Sequence, residues 1–249
     1  RTKMSAYNRP QMREAGAFVW PEGAVSALSL AFDGGLPEHI ELVLPILAEH
    51  EVKATFYVTV PALLENPIVW KKLAEAGHEI GSHSLLGATV TGELPAWTLE
   101  MLKEDLRMTE KGIAEICEVP VSSFALPGLA TESSEGDYRP VLSKLYTTIR
   151  TPEPRANLGP ESDLFSLGSM AWKNLQGPVE SFLPEEGQWN IAVFDGFFGP
   201  EYMAAEDDLR FLLAHLGRRK EIWTAPVGWV GEYISKWKVA SSRPSASPS

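Results

Sequence analysis

Short apolar runs alternate along the chain with longer segments whose apolar residues recur at helical spacing. The runs predict strands at 24–32, 53–60, 78–84, 121–127, 147–151, 163–168, 189–196 and 221–227. The segments between them predict helices at 37–50, 67–77, 97–117, 136–146, 204–216 and 230–237. Parallel strands joined by crossover helices have this order, so we expect an α/β fold. The number of units favours a single (β/α) barrel over an open doubly wound sheet.

The composition is that of one ordinary globular domain: 249 residues, 44% of them hydrophobic and 22% charged. Strand and helix patterns run from residue 22 to residue 238, which we take as the domain. Residues 1–21 precede it as an extension. Residues 239–249 are rich in Ser and Pro, lack apolar periodicity and are predicted to be a disordered tail.

Charge and composition exclude some partners. A net charge of −11 argues against a nucleic-acid partner, because phosphate backbones are bound by clustered Lys and Arg. No stretch approaches the roughly 20 apolar residues of a membrane-spanning helix, and the first ten residues lack the apolar core of a signal peptide. Cys117 is the only cysteine, so no disulfide can form within the chain. The pattern leaves the oligomeric state open.

Polar or special residues stand where five of the predicted strands end. They are Asp33, His83, Pro127, Arg150 and Asp195. Each has an ordinary explanation by itself, since Asp followed by Gly is common in turns and a lone His is more often a hydrogen-bonded structural residue than a ligand. In a barrel, however, the carboxyl ends of parallel strands meet at one face, where active sites lie. Their coincidence therefore predicts a functional site.

Five stretches resemble the polysaccharide deacetylase family, also called NodB-homology domains or carbohydrate esterase family 4. They are LSLAFDGGLPEHIELVLPILAEHEVKATFYV, WKKLAEAGHEIGSHS, FALPG, WNIAVFDG and IWTAPVGWVGEYI, in the family's order. The resemblance covers residues 22 to 236. It implies a distorted (β/α) barrel, normally seven-stranded, whose members remove acetyl groups from glycans such as chitin, peptidoglycan and xylan.

The motifs that hold the family's metal ion are degraded. The first is Thr-Phe-Asp-Asp-Gly, in which the first Asp is the general base and the second binds the metal; this chain keeps Asp33 and has Gly34 in the second place. The second motif supplies two histidines, and this chain has His83 and, in place of the other, Gly87. The resemblance therefore implies a metal site that has lost two ligands.

The motifs that serve acid and base chemistry also differ. The third normally carries an Arg that orients the base, but this chain has Ala125 and Leu126 there. The last carries the general-acid His, and Phe194 and Asp195 stand in its place. A catalytic zinc site needs about three protein ligands and one open position, which His83 alone does not provide. We therefore expect no cofactor, unless Asp33, His83 and Asp195 together form a new divalent metal site such as one for Zn²⁺.

Three functions remain open. The first is metal-free processing of a glycan in which Asp33 and Asp195 divide the acid and base roles, with His83 beside them, because two carboxyl groups in different environments can act in this way. The second is a catalytically inactive relative that binds a glycan. The third is a deacetylase with the rebuilt metal site. A purely structural or interaction role is a further alternative, for which the sequence offers no positive sign.

The partner expected in each case is a carbohydrate, with an acetamido or acidic sugar as the ligand. Aromatic faces stack on sugar rings, and residues near strand ends could bind the substrate: Trp97, Pro127, Arg150, Trp172, Phe197, Phe198 and Trp229. Packing within the domain is the simpler explanation for each aromatic. The family acts mostly on glycans outside the cytoplasm, so the resemblance favours an extracytoplasmic location that the chain itself does not specify.

Overall fold

The computed structural model describes residues 17–84, 94–195 and 202–242. Its strands are β1 (Ser26–Gly34), β2 (Thr55–Val58), β3 (Glu79–Ser82), β4 (Ser123–Ala125), β5 (Glu132–Ser133), β6 (Gly136–Asp137), β7 (Thr148–Arg150), β8 (Met170–Ala171), β9 (Trp189–Val193) and β10 (Ile222–Thr224). Its α-helices are α1 (Leu44–Glu49), α2 (Val60–Glu65), α3 (Pro67–Glu75), α4 (Leu99–Cys117), α5 (Arg139–Leu145), α6 (Tyr202–Leu216) and α7 (Val227–Ser241).

Seven parallel strands follow one curved path in the order β7-β4-β3-β2-β1-β9-β8. An eighth, β10, pairs in parallel with the first residues of β1. A bridge between Arg150 and Leu167 connects β7 to the segment just before β8, so the two ends of the path approach each other. The sheet with its helices is the distorted, seven-stranded (β/α) barrel predicted from the sequence, which is confirmed.

Strand β1 lies at the centre of the sheet and explains its distortion. Residues 26–28 pair with β10 and residues 31–34 pair with β2, while β9 runs along residues 27–31. β10 and β2 therefore share one edge of β1, one after the other. Among the described residues, the carboxyl end of β1, residues 32–34, pairs with β2 alone, so its other edge is open where Asp33 lies.

Alternation along β1 separates two apolar clusters. Leu28, Leu30 and Phe32 belong to the cluster that the sheet forms with α1, α3 and α6. Ala27 and Ala31 belong to the cluster inside the barrel, with Tyr57, Ala125, Trp189 and the apolar residues of α7. Since successive side chains of a strand point to opposite faces, Asp33 follows Ala31 to the inner face. The sequence pattern thus delivers one carboxylate to the carboxyl end of the barrel interior.

Some elements differ from the predicted ones. Residues 163–168 form no strand; Leu167 makes a single bridge, and the short β8 follows. The predicted helix at 37–50 starts as a π-helical turn, His39–Val43, before α1. The predicted helix at 136–146 starts at Arg139, because Gly136 adopts a φ of 107° and pairs with Ser133 in a small hairpin.

The first described residues pack on α7. Trp20 is buried against Trp223, and the ring of Phe18 meets that of Trp237 edge-on. The Tyr233 hydroxyl donates to the carbonyl of Val19. Helix α7 runs to Ser241, a few residues beyond the expected end of the domain. Within the described ranges, no helix has the length and apolar character needed to cross a membrane.

Candidate functional site

Asp33 stands at the carboxyl end of β1, just before a glycine turn. Gly34 and Gly35 have φ values of 92° and 70°, a region that glycine enters freely and residues with a Cβ rarely do. A Cβ on Gly35 would also lie 2.8 Å from the Cβ of Ala62. The two glycines therefore have a conformational role in turning the chain from β1 towards the π-helical turn at His39.

Arg150 holds the Asp33 carboxylate. Its Nη2 donates to Asp33 Oδ2 at 2.5 Å, and its Nη1 donates to Ser169 Oγ at 3.0 Å. The Arg150 side chain is only 2% exposed, whereas that of Asp33 is 26% exposed. Arg150 pairs in register with Ala125 on β4. By the family resemblance, an arginine would stand in the motif at β4. Here the arginine beside Asp33 comes from β7, the neighbouring strand.

Tyr57 lies under this ion pair. Its ring centre is 5.1 Å from the guanidinium carbon of Arg150, and it pairs in register with Asp33. A Cβ on Gly81 would meet the Tyr57 ring at 2.6 Å, so the glycine on β3 makes room for the ring. Burial is the main cause that raises the pKa of Tyr57. The phenol therefore remains neutral and offers its π face to the cation.

Two polar atoms of the ion pair have no hydrogen-bond partner within the described residues. They are Asp33 Oδ1 and Arg150 Nε. Buried polar groups are bonded in the great majority of cases, and exceptions concentrate at functional sites or where water binds. The carboxyl end of the barrel interior therefore keeps unused hydrogen-bonding capacity.

His83 follows β3 and is also buried. Its Nδ1 lies 3.0 Å from the carbonyl oxygen of Ala125. Because a carbonyl only accepts, Nδ1 carries the proton and Nε2 carries the lone pair. Burial lowers the pKa of His83, and the charge of Asp33 opposes this effect in part. His83 is therefore a neutral imidazole whose Nε2 is the basic nitrogen. The next residue, Ser84, adopts a φ of 70° and donates to Asp105 on α4, which fixes the chain just after His83.

Asp195 follows β9. Its Oδ1 accepts the backbone N–H of Lys173 at 3.1 Å. Burial raises its pKa, the Lys173 contact partly offsets this, and the charge of Asp33 adds to the rise. Asp33 thus acts electrostatically on both His83 and Asp195. The structure brings the three predicted catalytic residues into one electrostatic neighbourhood, while their catalytic roles stay predictions.

The predicted substrate-binding residues have different surroundings. Partly buried Trp172 follows β8, and its indole N–H donates to Asp208 on α6 at 2.8 Å. Pro127 is partly buried two residues after β4. Trp97 packs beside the cluster around Leu102, and Trp229 lies in the first turn of α7. Two predicted residues, Phe197 and Phe198, lie outside the described residues.

Sequence reasoning did not find two residues of this site. Tyr57 lies in a strand whose apolar character predicted only burial, and Ser169 lies between two predicted strands. A signal existed for Tyr57: Gly81 interrupts β3 at the position that pairs with it. A glycine inside a strand often marks a close approach by another group.

Comparison with known proteins identifies the family to which this fold belongs. The profile of the family described as polysaccharide deacetylase matches residues 22–145. The chain belongs to the polysaccharide deacetylase family. An uncharacterized protein of Bacillus subtilis, YlxY, is 36% identical over 90 residues, which are 36% of this chain and 27% of YlxY. The peptidoglycan-N-acetylglucosamine deacetylase PgdA of Listeria monocytogenes is 41% identical over 58 residues, 23% of this chain and 12% of PgdA. The chain thus matches about a quarter or less of these relatives' length.

Solved structures share the fold of this deacetylase-family chain. A candidate polysaccharide deacetylase from Mycobacterium smegmatis superimposes with a TM-score of 0.64 at 17% identity, over 92% of this chain and 96% of that one. A family 4 acetyl xylan esterase from Clostridium thermocellum, solved with a cobalt ion, gives 0.58 at 18% identity over 82% and 89%. A mutant of a family 4 pseudoenzyme with restored enzymatic activity gives 0.54 at 16% identity over 83% and 68%.

Family members normally use a divalent metal ion, and the described residues of this chain do not fit one. Within residues 17–84, 94–195 and 202–242, no three His, Cys, Asp or Glu side chains form a group that could hold a metal ion. Asp33, His83 and Asp195, the set predicted from the sequence, therefore do not form such a group. The donor set thus differs from the three protein ligands and open position of a catalytic metal centre.

Proposed function

We propose that this chain is a glycan-binding member of the polysaccharide deacetylase family that does not carry out metal-dependent deacetylation. The observation that carries the proposal is the set of side chains at the metal position. Gly34, the residue after Asp33, has no side chain, and within the described residues no three His, Cys, Asp or Glu side chains form a group that could hold a metal ion. A catalytic metal site needs about three protein ligands and one open position.

The proposed ligand is a glycan that contains N-acetylglucosamine. The support is PgdA, whose name gives peptidoglycan N-acetylglucosamine as its substrate and which shares the highest identity of the two relatives described above. Trp172 is the best placed stacking residue. Its bond to Asp208 fixes the ring, and its neighbour Lys173 holds Asp195 through the backbone. A ring held in advance loses little conformational entropy on binding.

A second candidate function is metal-free acid and base chemistry on the glycan. It is favoured by the different surroundings of two carboxyl groups. Asp33 is paired with a cation, whereas burial raises the pKa of Asp195, which suits it to donate a proton. In this case Asp195→Asn would abolish cleavage of the glycan in the presence of EDTA.

Calorimetry and product analysis on the purified chain test the two candidates together. The ligand is a chitin tetramer, a xylose tetramer serves as the comparison, and each titration is run with EDTA and with Co²⁺. We expect binding of the chitin tetramer that EDTA does not weaken, no release of acetate in Co²⁺, and no cleavage. Acetate release that depends on Co²⁺ would contradict the proposal, and cleavage in EDTA would favour the second candidate.

A pair of tryptophan variants locates the binding surface. Trp172→Ala should weaken binding of the chitin tetramer at least about tenfold, a loss in the range expected for one aromatic contact. Trp237→Ala is the control. Trp237 lies on α7, and its ring packs against that of Phe18. Equal weakening by both variants would argue against Trp172 as the stacking residue.

A further inference from the structure

We propose that Tyr57 is a positioning residue of the candidate site, whose ring fixes the guanidinium of Arg150 and, through it, the carboxylate of Asp33. The inference extends the proposed function, because Arg150 is among the residues predicted to bind the glycan. Tyr57 acts through Arg150, since its own side chain is fully buried among the apolar residues of the barrel interior.

The face of the Tyr57 ring bounds the space that Arg150 occupies. The guanidinium carbon lies 5.1 Å from the ring centre, a distance at which an aromatic face attracts a cation. The Arg150 side chain is only 2% exposed, and Tyr57 is 0% exposed. Such a contact is stronger when water is excluded from both partners. The ring therefore limits where the guanidinium can lie.

A chain of hydroxyl groups holds the ring in turn. Ser123 donates its one hydroxyl proton to Glu79 Oε1 at 2.7 Å. Burial raises the pKa of Tyr57, and a hydrogen bond with Ser123 opposes that rise in part. Because the serine proton is already used, the neutral phenol is the donor in this bond. The chain thus connects the ring beneath Arg150 to the buried carboxylate of Glu79.

Gly81 leaves the room that this arrangement needs. A Cβ at Gly81 would lie 2.6 Å from the Tyr57 ring and 2.8 Å from Ser123 Oγ. Gly81 pairs in register with Tyr57, which pairs in register with Asp33. A glycine inside a strand often marks a close approach by another group. Here it opens the place where the phenol meets the serine hydroxyl.

An arginine that is fixed in advance benefits binding. A long side chain that is already ordered loses less conformational entropy when a ligand arrives. Removing the Tyr57 ring should therefore loosen Arg150 and weaken binding of the glycan. Removing the hydroxyl alone keeps the aromatic face, so its effect should be smaller.

Nuclear magnetic resonance of the Arg150 side chain tests the inference in the wild type and three variants. Tyr57→Leu removes the ring, whereas Tyr57→Phe keeps the ring and removes the hydroxyl. Phe56→Leu is the matched control, because Phe56 is the neighbouring residue on β2, is equally buried and packs on the other face of the sheet. The readout is hydrogen exchange of Arg150 Nε–H, which reports how firmly the guanidinium is held.

We expect exchange at least about tenfold faster in Tyr57→Leu than in the wild type, as for the loss of a desolvated contact between a cation and a ring. Tyr57→Phe and Phe56→Leu should both stay within about threefold of the wild type. Unchanged exchange in Tyr57→Leu would overturn the inference. Equal acceleration in Tyr57→Leu and Phe56→Leu would also overturn it, because general loosening of the sheet would then explain both.

If Tyr57→Leu does not fold, Tyr57→Phe decides. Exchange within about threefold of the wild type, with a nuclear Overhauser contact between Arg150 and the ring, would support the inference. Exchange about tenfold faster would overturn it, because the hydroxyl and not the ring face would then hold Arg150.

Calorimetry with the chitin tetramer separates this inference from the proposed function. Binding should weaken at least about fivefold in Tyr57→Leu and stay near that of the wild type in Tyr57→Phe. Faster exchange without weaker binding would overturn the link between Tyr57 and the ligand. If the wild type does not bind the tetramer, the proposed function fails, while the exchange rates still decide whether Tyr57 positions Arg150.

Discussion

Each end of the parallel strands holds a shielded carboxylate. Glu79 lies at the amino ends and Asp33 at the carboxyl ends, and the two side chains differ in how many hydrogen bonds they accept. Glu79, the first residue of β3, accepts from Ser122, Ser123 and Thr55 and from the backbone N–H of Gly228. Both of its oxygens are thus satisfied by neutral donors. At the opposite end, Asp33 has one bonded oxygen and one without a partner within the described residues.

This difference separates a structural carboxylate from a functional one. Glu79 ties β2, β3, β4 and α7 together, and Thr55 adds a bond to Val227 at the start of the same helix. A carboxylate at a helix N-terminus is stabilised by the free N–H groups and the helix dipole. Asp33 connects β1 to a single arginine, and its Oδ1 has an unused hydrogen-bonding position within the described residues. We expect the Glu79 end to determine stability and the Asp33 end to determine recognition.

The largest expected effect is on stability at low pH, because buried neutral histidines lie at both ends: His39 and His83 near Asp33, and His78 next to Glu79. Burial lowers the pKa of His39, beside Asp33, and that of His78, next to Glu79, from 6.5 to about 4. The unfolded chain therefore binds more protons below pH 6.5, and the folded protein loses stability as the pH falls towards 4. Between pH 8 and pH 5 each histidine should contribute a loss of at most about 2 kcal/mol.

Denaturant unfolding at several pH values measures this loss. His39→Gln and His78→Gln should each remove part of the pH dependence, since glutamine does not titrate, and the part that remains in the double variant is expected from His83. A free energy of unfolding that stays constant between pH 8 and pH 5 would contradict the assignment of these histidines as buried and neutral.

The next effect compares two isosteric changes, Glu79→Gln and Asp33→Asn. In Glu79→Gln an NH₂ group must face donors whichever way the amide is turned, so we expect a loss of about 3 kcal/mol in the free energy of unfolding. In Asp33→Asn the amide oxygen still accepts from Arg150, and the NH₂ group takes the side without a partner. Its loss should be about 1 kcal/mol.

Equilibrium unfolding in urea at pH 7.5 measures both losses. Glu115→Gln on the exposed face of α4 is the control for removing a charge, with little expected effect. Equal losses in Glu79→Gln and Asp33→Asn would remove the distinction between the two ends.

A smaller effect is expected from Gly228→Ala, which tests how closely α7 approaches Glu79. A Cβ at this position would lie 2.0 Å from Glu79 Oε1, so the helix or the carboxylate must move. We expect a loss of about 2 kcal/mol, in the range measured for overpacked interiors. Gly112→Ala is the matched control, because a Cβ there would have an ordinary contact of 3.4 Å with Leu63. Unfolding midpoints that do not differ would contradict the close approach.

The smallest effect is expected from Gly34→Asp, which restores the family's carboxylate beside Asp33. A Cβ has space at this position, but the φ of 92° is strained for aspartate, so we expect a loss of about 1 kcal/mol. Equilibrium unfolding in urea measures this loss. A free energy of unfolding equal to that of the wild type would contradict the strain expected at this φ.

The sequence predicted the fold and part of the site for physical reasons. Strand alternation and the family resemblance located Asp33 and His83, since both stand at strand ends. The pairing of Asp33 with Arg150 was not predictable, because 117 residues separate them and β7 lies beside β4 although a hairpin and a helix intervene. Arg150 was predicted as a substrate-binding residue, and that role stays a prediction beside the ion pair now seen.

The hydrogen bonds of Glu79 were also not predictable from the sequence. Its donors lie on β2, on β4, at the residue before β4 and in the first turn of α7. No local sequence pattern therefore indicates them. Only Gly228 gave a possible signal, since glycine within a helix allows close approach of another group. Local patterns identify strand ends, whereas the order of strands decides which residues meet.

A crystal structure of the protein soaked with Co²⁺, with anomalous data collected at the cobalt edge, tests the central claim most directly. The account predicts no anomalous peak at Asp33 and a guanidinium of Arg150 within hydrogen-bonding distance of its carboxylate. A cobalt ion coordinated by Asp33 and His83 would contradict it.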